Sequence, residues 1–204
     1  MLMGARVSSG PGSKQDYETP VKFMEAVVRH FGPLAFDLAA RSCNAKSPHY
    51  FAPCTGPEGP LPVDPAAYAM DAFDHRWHEL SKPDTWRDYP PGRRGLLWLN
   101  CEFNDIPSWA ERCRVESAMG AEILLLTPAA VGSNWFSELV AGYADVYLLK
   151  GRLSFIPGQP YNKDCMLSHY RPRATLLWSE KLENRKICVW DWKCDRILYE
   201  WSVQ

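Results

Sequence analysis

Leu96-Leu97-Trp98-Leu99-Asn100-Cys101-Glu102-Phe103, running on into Asn104-Asp105-Ile106-Pro107-Ser108-Trp109, is the stretch whose reading decides the fold. Four consecutive apolar residues fit a strand buried on both faces, and polarity begins abruptly at Asn100. In an open α/β sheet, ligands lie in the crevice beyond the carboxyl ends of the strands, so Asn100 to Phe103 are expected at its mouth. An amide oxygen and a backbone carbonyl accept the two hydrogens of an exocyclic amine, and an aromatic ring stacks on a flat base. The plainer reading of the same stretch has Asn100 capping a turn and Phe103 in the core.

Downstream, Ser108 to Met119 has helical character, with Trp109, Ala110 and Cys113 on one face and Gly120 as the stop. Ile123–Leu126 reads as a second buried strand ending at Thr127-Pro128-Ala129. Ser133 caps the next helix, whose apolar side is Trp135, Phe136, Leu139 and Val140. Val146–Leu149 is a third strand, from which Lys150-Gly151-Arg152-Leu153-Ser154-Phe155 turns away. Cys165–Tyr170 and Ala174–Trp178 read as further strands. Ile187–Trp192 and Arg196–Trp201 alternate around Lys193-Cys194-Asp195, which predicts a hairpin.

Upstream, Thr19 suits an N-cap, Pro20 the first helical position and Gly32 the far end. Met24, Val27, Val28 and Phe31 recur between them at helical spacing. Leu34 to Ala40 reads as a strand carrying Asp37. An acid at a strand end takes hydrogen bonds from ribose hydroxyls, and Ala39 and Ala40 let a ligand approach the backbone. Asp37 capping the following loop accounts for the segment equally well, and no G-x-G-x-x-G is present. Arg41 to Pro65 is a proline- and glycine-dense loop containing Asn44 and Lys46, longer than connections usually are. Asp71 to Trp77 is expected as a short strand or turn, and Ser81 to Gly95 as a polar linker. Alternation of strands and helices predicts an α/β, Rossmann-like fold: a doubly wound, mainly parallel sheet with late antiparallel strands.

The chain has 204 residues, of which 46% are hydrophobic and 23% charged, proportions of an ordinary soluble domain. Met1 to Gly12 lacks an apolar h-region and is expected as a flexible tail, leaving residues 13–204 as one domain. No apolar run approaches a membrane span. Seven cysteines without a CxxC pair fit free thiols in a reducing cytoplasm. Cys43, His49 and Cys54 match no familiar zinc spacing, so no metal is expected. A net charge of -1 excludes a strongly basic, non-specific DNA binder. Basic pairs at Arg93-Arg94, Lys150/Arg152, Arg171/Arg173 and Arg185-Lys186 leave room for nucleic acid as a transient substrate.

Tyr17-Glu18-Thr19-Pro20, Phe36-Asp37-Leu38-Ala39-Ala40, Asn44-Ala45-Lys46, Tyr50-Phe51 and Asp71 with Trp77 form an ordered series. It continues through Trp98-Leu99-Asn100 with Trp109, Leu126-Thr127-Pro128-Ala129 with Trp135-Phe136, and Lys150 to Phe155. This series, spanning roughly residues 13–156, resembles the phage-type DNA N6-adenine methyltransferases, which use S-adenosylmethionine. The resemblance implies a class I methyltransferase fold, a seven-stranded sheet flanked by helices, acting on DNA in the cytoplasm of a bacterial host. It implies that Thr19 and Pro20 lie near the amino-acid end of the donor, Asp37 at its ribose and Asp71 near its adenine. Tyr17, Ala39 and Asn44 join them in the donor site. Asn100, Cys101, Glu102 and Phe103 would hold a flipped adenine. Acceptors on the two amine hydrogens restore electron density at nitrogen as the methyl arrives, without metal or covalent intermediate.

The family pattern at that motif is Asn or Asp, Pro, Pro, then an aromatic residue. Here Asn100 and Phe103 match, and Cys101-Glu102 replaces the two prolines that fix φ. Two alternatives follow from that replacement. One is a catalytically lapsed relative that binds donor or DNA without turnover, and the other is the same fold acting on another amine or with an altered donor, Glu102 contacting the changed group. Residues 157–204 depart furthest from the resemblance and are the expected place for target recognition.

Overall fold

The computed structural model describes residues 18–56, 59–156, 158–172 and 185–203. The expected tail over residues 1–12, Tyr17 and the expected strand over residues 174–178 lie outside the described residues. Helix α1 (Val21–Phe31) buries Phe23, Met24, Ala26 and Val27. Pro20 is its N-cap rather than its first helical residue, so Thr19 precedes the helix and does not cap it. Val28, expected in the buried stripe, is 41% exposed, because Phe23 and Ala26 take the inward positions. Gly32 ends the helix at φ 105, donating its amide to the Val28 carbonyl at 2.9 Å. That left-handed conformation is open to glycine because it lacks a Cβ.

Strand β1 (Leu34–Asp37) is followed by a long segment with short pairings of its own. β2 (Phe51–Ala52) runs parallel to β5 (Ala69–Met70), and β3 (Thr55–Gly56) forms a small hairpin with β4 (Gly59–Pro60). The segment expected as a strand or turn at Asp71 to Trp77 is a 3-10 helix, Ala72–Asp74, and α2 (Trp77–Leu80) follows. The polar stretch after α2 is anchored by aromatic residues. The Trp86 indole donates to the Leu80 carbonyl at 2.8 Å, and the Tyr89 hydroxyl donates to Pro33 at 3.0 Å.

β6 (Leu96–Leu99) is buried at all four residues, and its parallel neighbours explain why no alternation appears in its sequence. α3 (Ile106–Ala118), β7 (Glu122–Pro128), α4 (Asn134–Leu139), β8 (Asp145–Leu149), β9 (Cys165–Tyr170), β10 (Arg185–Asp191) and β11 (Arg196–Val203) complete the described elements. Ser133 caps α4 as expected, its hydroxyl accepting the Phe136 amide at 3.4 Å.

The seven-stranded sheet has the order β1-β6-β7-β9-β8-β10-β11. β1, β6, β7, β8 and β10 point one way, and β9 and β11 run against them. The α/β class and the late antiparallel strands therefore match the sequence expectation. The doubly wound arrangement is met only in part. Helices lie on both faces, but the strand order runs outward from the β1 edge except where the chain steps back after β8 to insert β9 antiparallel between β7 and β8. The connecting helices contribute Trp77, Leu80, Ala110, Cys113 and Phe136 to a single cluster on one face. Among the described helices, α1, with Phe23, Met24, Ala26 and Val27, packs on the other face against Trp98, Leu124, Leu126 and Trp190, beside Leu153 and Phe155 of the loop after β8.

No described helix is long and apolar enough to cross a membrane. All seven cysteines are free thiols.

Candidate active site at the carboxyl ends of β1 and β6

The register of β1 on β6 places Asp37 opposite Trp98, and the Leu38 amide donates to the Trp98 carbonyl at 2.9 Å. Asn100 therefore emerges beside the chain that leaves β1. On the outer side of that chain, the Asp37 amide donates to His49 at 2.8 Å and the Ala40 amide to Phe51 at 3.0 Å. The next segment joins through the Asp71 amide, which donates to Ala52 at 3.0 Å. Four pieces of chain thus lie side by side: Trp98–Asn100, 37–40, 50–52 and 69–71. Three strand spacings of roughly 4.8 Å put Asn100 and Asp71 about 14 Å apart across this ladder.

Thr19 closes the near end. Its side chain is buried, and its hydroxyl oxygen accepts a hydrogen bond from the Asn100 amide nitrogen at 3.0 Å, across 81 positions of sequence. Glu18 beside it pairs with the Lys46 ammonium at 3.0 Å. The backbone amide of Lys46 in turn donates to Asp37 Oδ2 at 2.9 Å, and that of Ala39 to Asp37 Oδ1 at 3.2 Å. Asp37 therefore organises the loop that follows it. Asn44 works in the same loop, its side-chain oxygen accepting the Arg41 amide at 2.8 Å.

Burial is the largest influence on Asp37 and pushes its pKa up to about 6, against the two amide donors and the Lys46 charge. The unfolded value is the ordinary 3.8, so the folded state holds its proton more tightly. The stabilising contribution is complete below pH 4 and is lost as pH rises through 6. Two units at about 1.4 kcal/mol each give roughly 3 kcal/mol. The unfolding free energy of wild type minus that of Asp37→Asn is expected to fall by about 3 kcal/mol between pH 4 and 7. Urea titrations across that range check it, and a pH-independent difference would contradict the burial argument.

Asp71 marks the far end. Its φ of 53 is unusual for a residue with a side chain. Its carboxylate accepts the Phe73 amide at 3.0 Å and the Cys54 thiol at 3.4 Å. A buttressed carboxylate in a left-handed conformation, half-buried at the end of a ladder, is a strained feature at a candidate site.

The four residues of the motif separate by environment. Asn100 is half-buried, and Cys101 is buried in the helix-covered cluster, where burial pushes its thiol well above the ordinary range. A thiol held protonated in the core is no nucleophile. Glu102 is exposed, and its carbonyl accepts the Asp105 amide at 3.4 Å in the turn that starts α3. Phe103 is half-buried, with Phe155 and Tyr161 at ring distances of 6.4 and 6.0 Å. Phe155 and Tyr161 meet edge to face at 5.3 Å, and the Tyr161 amide is tied to the Leu153 carbonyl at 2.7 Å. The segment after β8 thus returns beneath Phe103 instead of leaving the site.

Thr19, Asp37, Ala39, Asn44, Asp71, Asn100 and Phe103 all border this end of the sheet, with Pro20 at its helical rim. Cys101 belongs to the core behind it. Sequence reasoning missed Tyr161, gave Phe155 no part in the site and weighed Cys54 only as a zinc ligand. Phe155 and Tyr161 flank an irregular loop and carry no periodic signal, and the Cys54 contact depends on the unusual backbone at Asp71. Among the described residues no group of three or more His, Cys, Asp or Glu side chains is arranged to hold a metal ion. Cys43 is exposed, His49 bonds Asp88 at 3.0 Å and stacks on Trp86, and Cys54 turns to Asp71. No protein-family model matches this chain, and no curated protein matches it.

Proposed function

We propose that the protein transfers a methyl group from S-adenosylmethionine to the N6 amine of an adenine flipped out of DNA. The observation that carries this reading is the meeting of Asn100 with Thr19, 81 residues away, on the ladder that also bears Asp37 and Asp71. A ladder about 14 Å wide suits an extended nucleoside with an amino-acid tail. In the proposed arrangement the tail lies toward Thr19 and Pro20, the ribose toward the 37–40 segment and the adenine toward Asp71. Ala39 and Asn44 complete the donor side in this reading.

The chemistry asks little of the protein beyond placement. The target nitrogen attacks the donor methyl in line, its lone pair forming the new N–C bond as the C–S bond electrons return to sulfur. The Asn100 side-chain oxygen and the backbone carbonyl after it accept the two amine hydrogens. The nitrogen sheds one proton to solvent water after transfer, and S-adenosylhomocysteine leaves with its sulfur neutral. Acceptors fixed in advance stabilise the positive charge that develops at nitrogen without reorganising. The ring of Phe103, backed by Phe155 and Tyr161, supplies a face for the extruded base.

Donor binding without turnover is the second reading, favoured by exposed Glu102 standing where the family pattern has proline. Incubation of the full chain with methyl-labelled S-adenosylmethionine and unmethylated duplex DNA separates them. Nucleoside mass spectrometry is expected to find labelled N6-methyladenine. Calorimetric donor binding with no labelled nucleoside would transfer the assignment to the second reading.

A further inference from the structure

We infer that Thr19 is a positioning residue for Asn100, the group that anchors the Asn100 amide in the orientation presented to the substrate amine. The inference rests on the methyl-transfer reading above and goes beyond its placement of Thr19 at the donor tail. An asparagine side chain has a donor end and an acceptor end of nearly the same shape. Only the oxygen serves an exocyclic amine. Two N–H groups turned toward the amine hydrogens would repel them.

The structure holds the Asn100 amide in the orientation this requires. The Asn100 amide nitrogen donates to the Thr19 hydroxyl oxygen at 3.0 Å, and Thr19 is 2% exposed. With the nitrogen committed to Thr19, the oxygen is the end of the amide directed away from that contact. Thr19 itself is held from both sides. Pro20 caps α1 immediately after it, and Glu18 immediately before it pairs with Lys46 of the Asp37 loop. The hydroxyl is thereby fixed relative to β6 by α1 and by the loop after β1. That fixation matters more in this chain than where two prolines follow the asparagine, because Cys101 and Glu102 leave the backbone after Asn100 free of that constraint.

The test compares wild type, Thr19→Val and Thr19→Ser in single-turnover methyl transfer, with KM for the donor and for DNA measured alongside. Valine keeps the buried volume and deletes the acceptor, whereas serine restores it. Thr19→Val is expected to lower kcat by about ten- to a hundredfold, the scale on which small misplacement costs rate. The KM for DNA is expected to hold and Thr19→Ser to recover most of the rate. In 15N-labelled protein, the Asn100 side-chain amide protons are expected to exchange slowly with solvent in wild type and rapidly in Thr19→Val. A Thr19→Val enzyme with wild-type kcat would overturn the positioning role alone. So would a raised donor KM with unchanged kcat, which would return Thr19 to simple donor contact. A wild-type protein with no methyl transfer to any base would overturn the methyl-transfer reading, and this inference with it.

Discussion

Asn100→Ala is expected to reduce methyl transfer by about a hundred- to a thousandfold, the loss typical when a preorganised polar group aimed at developing charge is removed. Donor affinity should be little changed, because the carboxylates of Asp37 and Asp71 lie on other segments of the ladder. The variant also leaves the Thr19 hydroxyl without its amide donor, a local cost. Rapid-quench transfer assays beside calorimetric donor titrations separate the two effects. An alanine variant that methylates DNA at the wild-type rate would remove Asn100 from the chemistry.

The largest effect on stability is expected at Trp98. This indole is 1% exposed at the centre of β6, on the face where α1 supplies Phe23, Met24 and Val27. Trp98→Ala leaves a cavity that parallel neighbours on both sides cannot close, and such truncations cost about 3–5 kcal/mol. For a chain of this size that corresponds to a fall in Tm of roughly 10 °C. Differential scanning calorimetry reads it directly. The same variant should lose activity at temperatures where it remains folded, because Trp98 sets the level at which Asn100 leaves the sheet. A Tm unchanged by the substitution would mean that β6 is not the core strand described above.

The parts of this fold legible in the sequence are those fixed by local pattern. Leu96–Leu99, Ile123–Leu126 and Val146–Leu149 announce buried strands because a strand covered on both faces must be apolar throughout. Gly32 and Ser133 mark helix ends through backbone and capping chemistry that needs no partner. Winding direction is another matter. The insertion of β9 between β7 and β8 depends on which edges meet in space, and alternation of elements does not encode it.

The candidate site divides in the same way. Asn100 and Asp37 could be singled out because polarity breaks at the ends of apolar runs. The capping alternative for Asp37 also describes what its carboxylate does, since it accepts the amides of Ala39 and Lys46. Thr19 shows how a local rule gives way to a tertiary contact. Threonine before proline suits a helix cap, yet its hydroxyl is engaged by an amide 81 residues on and Pro20 takes the cap position. Phe103 meets Phe155 and Tyr161 only because the chain folds back after β8, and no spacing in the sequence reports that return.

The most direct test of the central claim is a crystal structure of the full chain with S-adenosylhomocysteine bound. The nucleoside is expected to lie along the ladder, with its ribose against the 37–40 segment, its adenine beside Asp71 and its sulfur facing Asn100. A ligand bound elsewhere on the molecule, or no ligand bound at saturating concentration, would contradict the account.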